Sequence, residues 1–480
     1  MKEIIIAFIF LLNMFTSSAQ HEVSVNQKTD KKLLPTKYAV ILYGNQVSDT
    51  SGNNKMLASH WQNIGGGTFT WKKEINDDGD YEVAISYSTN KAGTVAKISA
   101  DTSNSNNSVV ATLQVTSGYY PEGKEWYKFN CERRQIPGTL HLQKGQNIIS
   151  LQLITKQADD GIIVYAVELL PVKQKAAIEE DRIRAQKMRS NTDWFAKIPY
   201  GVMFHWTSQS APEQGPLKPY NEAVNAFDVG AFVNMVVKTG AGYVILTTNH
   251  AEPYFPAALK EWEKVYPGHT TKRDLIEEIA DSLQKHCIKL FLYMATHIYA
   301  KYDSVSDAEF KRLNYTLVGE VGERYKKKVA GFWFDGWYQC YKRHPDFDLE
   351  QFHKICKTGN PDRLICLNSW LYPIISLWQD YWAGEVYTIG KPQKHQIIED
   401  GPGRGLQTHN LVVMETEDWL HTSLNTKIPP PHLKPDELIN FISKSKGKGP
   451  VTINIQIYQD GKISNDALSV MEQVKKALGK

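Results

Sequence analysis

The chain has 480 residues, 42% of them hydrophobic and 22% charged, and a formal net charge of only +3. This is ordinary globular material, too long for one small core, so two domains are the natural expectation. No basic patch dominates, which argues against nucleic acid as a partner.

The first residues, MKEIIIAFIFLLNMFTSSAQ, place Lys2 ahead of an apolar run that closes on Ser17, Ser18 and Ala19. That order reads as an export signal over 1–19, cut after Ala19. The alternative, a membrane anchor, needs roughly 20 apolar residues, and the run is shorter. The expectation is a periplasmic or extracellular protein with no integral membrane segment after cleavage.

From about residue 35 to 172 the chain alternates apolar and polar residues, as in GTFTWKKEI, DYEVAISYS, TLHLQ and NIISLQLI, with Gly, Asn and Asp clusters between. Period-two patterning at short spacing predicts an all-β sandwich domain. Trp61 and Trp71 fall on strands, where core packing is the expected role and a sugar platform the alternative. The turns NDDGD and DTSNSNN read as solvated loops in preference to calcium sites. A charged stretch over 173–190, KQKAAIEEDRIRAQKMRS, follows as a linker helix.

Over 191–480 the pattern changes to apolar runs separated by amphipathic helices. The runs are YGVMFHW, GYVILTTNH, IKLFLYMATH, VAGFWFDGW, RLICLNSW, WQDYWAGE, NLVVMETEDW and VTINIQ. Runs apolar on both faces suit parallel strands covered by helices, and eight of them fit a (β/α)8 TIM-like barrel of about 250 residues. The stretch between the sixth and seventh runs is the least regular. Active groups in such a barrel sit at the C-terminal strand ends. Those ends carry His205 with Trp206, Asn249 with His250, Tyr293 with His297, Asp335, Asn368, Glu385, and Glu415 with Glu417. Two strand-end carboxylates among aromatic rings suit glycoside cleavage, in which an ionised carboxylate meets the anomeric carbon and a carboxylic acid protonates the leaving oxygen. Burial raises one carboxyl pKa while hydrogen bonds hold the other down.

The five cysteines lack CxxC spacing, so neither a zinc site nor a disulfide framework is expected. Cys287 and Cys366 read as core thiols, and Cys340 with Cys356 as the pair to consider for a bridge. His205, His250 and His297 raise the alternative of a metal-dependent hydrolase, but no thiolate or His/Asp cluster completes a ligand set. No metal or cofactor is expected.

From about residue 190 onward the chain resembles the α-L-fucosidases of glycoside hydrolase family 29. GVMFHWTSQS is similar to the family's first strand, and AFDVGAFVNMVVKTGAGYVILTTNH to its second strand with the preceding helix. TKRDLIEEIADSLQKHCIKLFLYM resembles the third strand with its helix, FWFDGW the nucleophile strand, and VTINIQIYQDGKIS the closing segment. The resemblance implies Asp335 as nucleophile and Glu385, in DYWAGE, as acid/base. His205, His250 and Tyr293 would line the glycone pocket, Trp206 and Trp333 would wall it, and Asn249 and Glu252 would be further substrate contacts. The chain also departs from the family: Lys-His-His-Asp-Gly becomes NHAEP, bringing Ala251 and Glu252, and Asn368 with Trp370 stands where many members carry an arginine. Arg404 is a possible loop replacement for that cation. Segments such as DGDYEVAISYS resemble the β-sandwich carbohydrate-binding modules of secreted glycosidases. The implied function is an exported, exo-acting, retaining α-glycosidase that removes terminal α-L-fucose, or a similar sugar such as L-galactose, from glycans. The alternative is a catalytically inactive glycan-binding protein on the same fold.

Overall fold

Alternation of side chains builds the first nine strands into one antiparallel sheet: β1 Val40–Tyr43, β2 Asp49–Leu57, β3 His60–Ile75, β4 Gly79–Thr89, β5 Val95–Ala100, β6 Ser108–Thr112, β7 Glu132–Leu142, β8 Gly145–Ile154 and β9 Gly161–Pro171. The computed structural model describes residues 38–57, 60–89, 92–101, 107–116, 131–154, 161–370, 376–385, 389, 392–399, 403–415 and 419–479. The segment read as an export signal, most of DTSNSNN, Glu417 and the Trp61 side chain lie outside them.

The sheet runs β6-β5-β8-β3-β9-β4-β7, with β1 paired to β9 and β2 to β3. Its two ends meet, since Asn107, just before β6, donates to the His141 carbonyl of β7 at 2.7 Å and accepts from its amide at 2.9 Å. Phe69, Trp71, Ile85, Ile98, Leu140, Leu151 and Leu169 form the core it encloses. Trp71 is therefore a core residue, its indole N–H donating to the Tyr43 carbonyl at 2.9 Å. The acids of NDDGD are engaged: Asp77 with Lys173, Asp78 with the Lys144 amide, and Asp80 with His141.

The helix Lys175–Met188 follows. Just beyond it, Ser190 donates its amide to Asp380 at 2.7 Å, and Asp380 also pairs with Lys357 at 2.8 Å. This fastens the chain to the second sheet.

That sheet has seven strands: β10 Tyr200–Phe204, β11 Tyr243–Asn249, β12 Lys289–Ala295, β13 Val329–Asp335, β14 Leu364–Leu367, β15 Asn410–Val413 and β16 Val451–Asn454. The order is β14-β13-β12-β11-β10-β16-β15, and every pair is parallel. Its runs are apolar throughout because both faces are buried. One face carries Met203, Ile245, Phe291, Tyr293, Trp333, Cys366 and Leu411. The other carries Val202, Phe204, Leu246, Leu292, Phe332 and Phe334, packed against residues of helices such as Val229–Thr239 and Asp307–Tyr325. Gly331 leaves room for the Phe291 ring, which a Cβ there would meet at 2.1 Å.

Seven of the eight apolar runs become strands; the sixth does not. Its backbone still ties the two edges of the sheet together, with Asp380 donating to the Ile365 carbonyl of β14 at 2.8 Å and Leu411 of β15 donating to the Gly384 carbonyl at 2.8 Å. Gly384 explains the interruption: its φ of +58° and the His409 carbonyl, 2.2 Å from where a Cβ would sit, admit only glycine.

One cysteine expectation is corrected. Cys287 is exposed, because it sits in the positive-φ turn before β12 and Ile288 takes the buried position instead. Cys340 and Cys356 are both buried, as free thiols. Among the described residues no helix is long and apolar enough to cross a membrane.

Candidate active site

Strand β13 places Trp333 on the same face as Tyr293, with Phe332 and Phe334 on the other, so alternation returns Asp335 to the Trp333 side at the strand's end. Gly336, at φ +76°, then turns the chain into the helix Trp337–Arg343. A Cβ at Gly336 would lie 2.1 Å from Nδ1 of His297, so glycine allows that ring to close on the site.

The Tyr293 hydroxyl donates to Asp335 Oδ2 at 2.6 Å, and Asn368 Nδ2 donates to Asp335 Oδ1 at 2.8 Å. The same Nδ2 donates to Glu385 Oε2. Asn368 Oδ1 accepts the Trp370 amide at 2.9 Å, which fixes which end of the carboxamide faces the acids. One nitrogen serving two carboxyls limits their separation, since two legs of about 3 Å span at most about 6 Å between the bonded oxygens.

The two acids are driven in opposite directions. Burial raises Glu385 first, the neighbouring Asp335 charge raises it further, and the Asn368 amide only partly offsets this. Burial also raises Asp335, but His297, the Tyr293 hydroxyl, the Asn368 amide and His250 outweigh it, leaving this carboxyl below its ordinary value. Burial lowers His250 to about 4 and lowers His297 as well, so both are neutral near pH 7. Near neutrality, then, the Tyr293 and Asn368 donors do most to keep Asp335 ionised.

His205 is buried, and its Nδ1 lies 2.8 Å from Asn454 Oδ1. Asn454 in turn donates Nδ2 to the Trp419 carbonyl at 3.3 Å, so the His205 proton sits on Nδ1 and Nε2 keeps its lone pair. Burial drives His205 down to about 3. Its ring lies 5.0 Å from Tyr293, 5.6 Å from His250 and 5.5 Å from Trp419, and Trp333 stacks on Tyr293 at 5.1 Å. Among the described residues, Nδ1 of His250 and Nε1 of Trp333 are buried with no protein partner. Unpaired buried groups of this kind cost about 1–3 kcal/mol each, which a polyhydroxylated ligand would relieve.

The structure thus brings Asp335, Glu385, His205, His250, Tyr293 and Trp333 together. It does not place the other expected residues with them. Trp206 packs on the helix side of the sheet, 5.8 Å from Tyr220 and 5.1 Å from Phe227, and its indole donates to the Gln459 carbonyl at 2.9 Å. Asn249 is spent inside the strands, donating to the Ala295 carbonyl at 3.3 Å and accepting from Thr248 at 3.2 Å. Glu252 is exposed and accepts from the Ser208 hydroxyl. Arg404 is exposed as well. Sequence reasoning placed Asn368 at a strand end, where many family members carry an arginine, but gave it no bridging role, and it passed over Asn454 and Trp419; the end of β16 and the close of the run NLVVMETEDW were the available clues. Glu415 is buried, accepts the Gln456 amide at 3.0 Å and is pushed up to about 8 by burial. Among the described residues no group of three or more His, Cys, Asp or Glu side chains is arranged to hold a metal.

A curled parallel sheet with one acid at a strand end and a second beside it is a glycoside-hydrolase type of α/β architecture. The family model for alpha-L-fucosidase matches residues 217–480, and the chain belongs to that family. Among solved structures it is similar to an endo-fucoidan hydrolase of glycoside hydrolase family 107, at 13% identity and TM-score 0.47, covering 60% of this chain and 53% of that one. It is also similar to α-L-fucosidase isoenzyme 1 from Paenibacillus thiaminolyticus, at 19% identity and TM-score 0.43, covering 61% and 75%. A family 29 α-L-fucosidase from Bacteroides thetaiotaomicron aligns at 17% identity and TM-score 0.45, covering 61% and 77%. The chain spans 53% and 63% of the length of two endo-fucoidan hydrolases it matches. No curated protein sequence matches it.

Proposed function

We propose that this protein is an exported, exo-acting, retaining α-glycosidase that removes terminal α-L-fucose, or a stereochemically similar sugar such as L-galactose, from glycans. The observation that carries the reading is the Asp335–Asn368–Glu385 bridge, with one acid held ionised and the other protonated. Asp335 attacks the anomeric carbon while Glu385 protonates the departing oxygen; Glu385, now a carboxylate, then takes a proton from the water that releases the sugar. A donor shared by the two carboxyls keeps them close, which supports the ~5–5.5 Å spacing of retaining enzymes. His205, His250, Tyr293 and Trp333 line the glycone pocket.

On this reading residues 191–480 are a (β/α)8 barrel whose eighth position is taken by the irregular segment 378–385. A β-sandwich over 35–172 and a linker over 173–190 precede it, and residues 1–19 direct export.

The test is hydrolysis of aryl α-L-fucoside, α-L-galactoside, β-D-galactoside and α-L-rhamnoside by the wild type and by Asp335→Asn. Fucoside turnover that collapses in the variant is the expected result. Tight glycan binding with no product after long incubation would instead favour a non-catalytic glycan-binding protein.

A further inference from the structure

Strand β9 reads GIIVYAVELLP, apolar on both faces, although it lies in an antiparallel sheet that has only one core of its own. Ile162 and Val164 point into that core. Ile163 and Tyr165 point the other way and pack against Cys131, Trp370 and Trp419. Strand β9 is held centrally, between β3 and β4, and the Tyr165 hydroxyl lies 3.2 Å from that of Ser88.

The two tryptophans follow strands of the second sheet, Trp370 after β14 and Trp419 after β15, and lead directly to the site. Trp370 has a φ of +49°, a left-handed backbone that a bulky residue adopts only when its surroundings enforce it. Its amide holds Asn368 Oδ1, and Asn368 holds both carboxyls. Trp419 lies 5.5 Å from His205, and its carbonyl anchors the Asn454 that orients the same imidazole.

We propose that Ile163 and Tyr165 are positioning residues of the active site: the nine-stranded sheet clamps Trp370 and Trp419, and through them sets Asn368 and His205. The nine-stranded sheet is thereby part of the catalytic apparatus, whether or not it binds glycan. The kinetic consequence rests on the glycosidase reading; the structural one does not.

The experiment compares full-length Tyr165→Ala and Ile163→Ala with Tyr165→Phe, which keeps the ring, and with Leu151→Ala, which thins the core of the nine-stranded sheet away from the tryptophans. Hydrogen exchange at the Trp370 amide is expected to quicken by about tenfold or more in Tyr165→Ala, less in Ile163→Ala, and not in Tyr165→Phe or Leu151→Ala. On aryl α-L-fucoside, kcat is expected to fall by about tenfold in Tyr165→Ala with KM changed by less than about twofold. If Tyr165→Ala does not fold, Ile163→Ala alone decides. Unchanged exchange at Trp370, or equal quickening in Leu151→Ala, overturns the proposal. A wild type inert on every fucoside overturns the glycosidase reading, and the exchange result still decides this one.

Discussion

Replacing Asn368 with alanine removes the one donor shared by Asp335 and Glu385. A hydrogen bond to a charged group contributes about 1.5–3 kcal/mol. At 1.36 kcal/mol per pKa unit, each carboxyl should move by about 1–2 units. The sign is the same for both, because the amide favours the ionised form of each and its loss raises each pKa. On the proposed mechanism activity requires Asp335 ionised and Glu385 protonated, so in Asn368→Ala the acid limb of kcat/KM should rise toward the ordinary carboxylate range and the alkaline limb should move further up. The loss of orientation should lower kcat by about 10–100-fold, or about 1.4–2.7 kcal/mol of barrier. The assay is the pH–rate profile on aryl α-L-fucoside for wild type and variant. Limbs that stay in place, or an acid limb that moves down, would refute the reasoning.

Gly336→Ala drives a methyl group against His297 at a positive-φ position, and activity should fall by at least about tenfold; initial rates and a melting curve report it together. Asp380→Ala leaves the Ser190 and Ile365 amides without their acceptor and Lys357 without its counter-charge, and urea unfolding at pH 7 should show a loss of about 3–5 kcal/mol. The Asp380 carboxyl is depressed in the folded state, where burial is outweighed by Lys357 and His353. Its stabilising effect is therefore present above the unfolded value of about 3.9 and fades as pH falls through the folded value, so wild type and variant should converge in strong acid. A thiol reagent should label Cys287 in the native protein and reach Cys340, Cys356 and Cys366 only on unfolding, as mass mapping would show. Turnover should be undiminished by a chelator, and a fall in its presence would reopen the metal-dependent alternative.

The strongly patterned parts were legible. Runs such as GYVILTTNH and VAGFWFDGW announce buried parallel strands, and one-in-two alternation along β13 settles which side Asp335 takes. What escaped depends on contacts distant in sequence. Trp206 follows His205 directly, yet its ring lies on the other face with Tyr220 and Phe227, because adjacent residues at a strand end diverge. Asn249 was spent on strand-to-strand bonding that no local pattern reveals. Asn368 was legible as a strand-end residue standing where many relatives carry an arginine; its bridging role requires Glu385, 17 positions away. The outward half of β9 looked like ordinary strand, and only its second apolar face hinted at a partner.

The wall around the catalytic pair is not uniform in construction. Asp335 ends β13, paired with Ala295 of β12 and one residue past the last rung of the ladder to β14. Glu385 stands just past Gly384, on a stave that touches its neighbours through a handful of backbone bonds. On the proposed mechanism, nucleophile and proton donor would thus rest on different kinds of backbone, one in a strand and the other in an irregular segment. If those roles hold, the segment that bears the donor could be lengthened, shortened or re-aimed toward a new leaving group while the carboxylate that meets the sugar stays where β13 holds it.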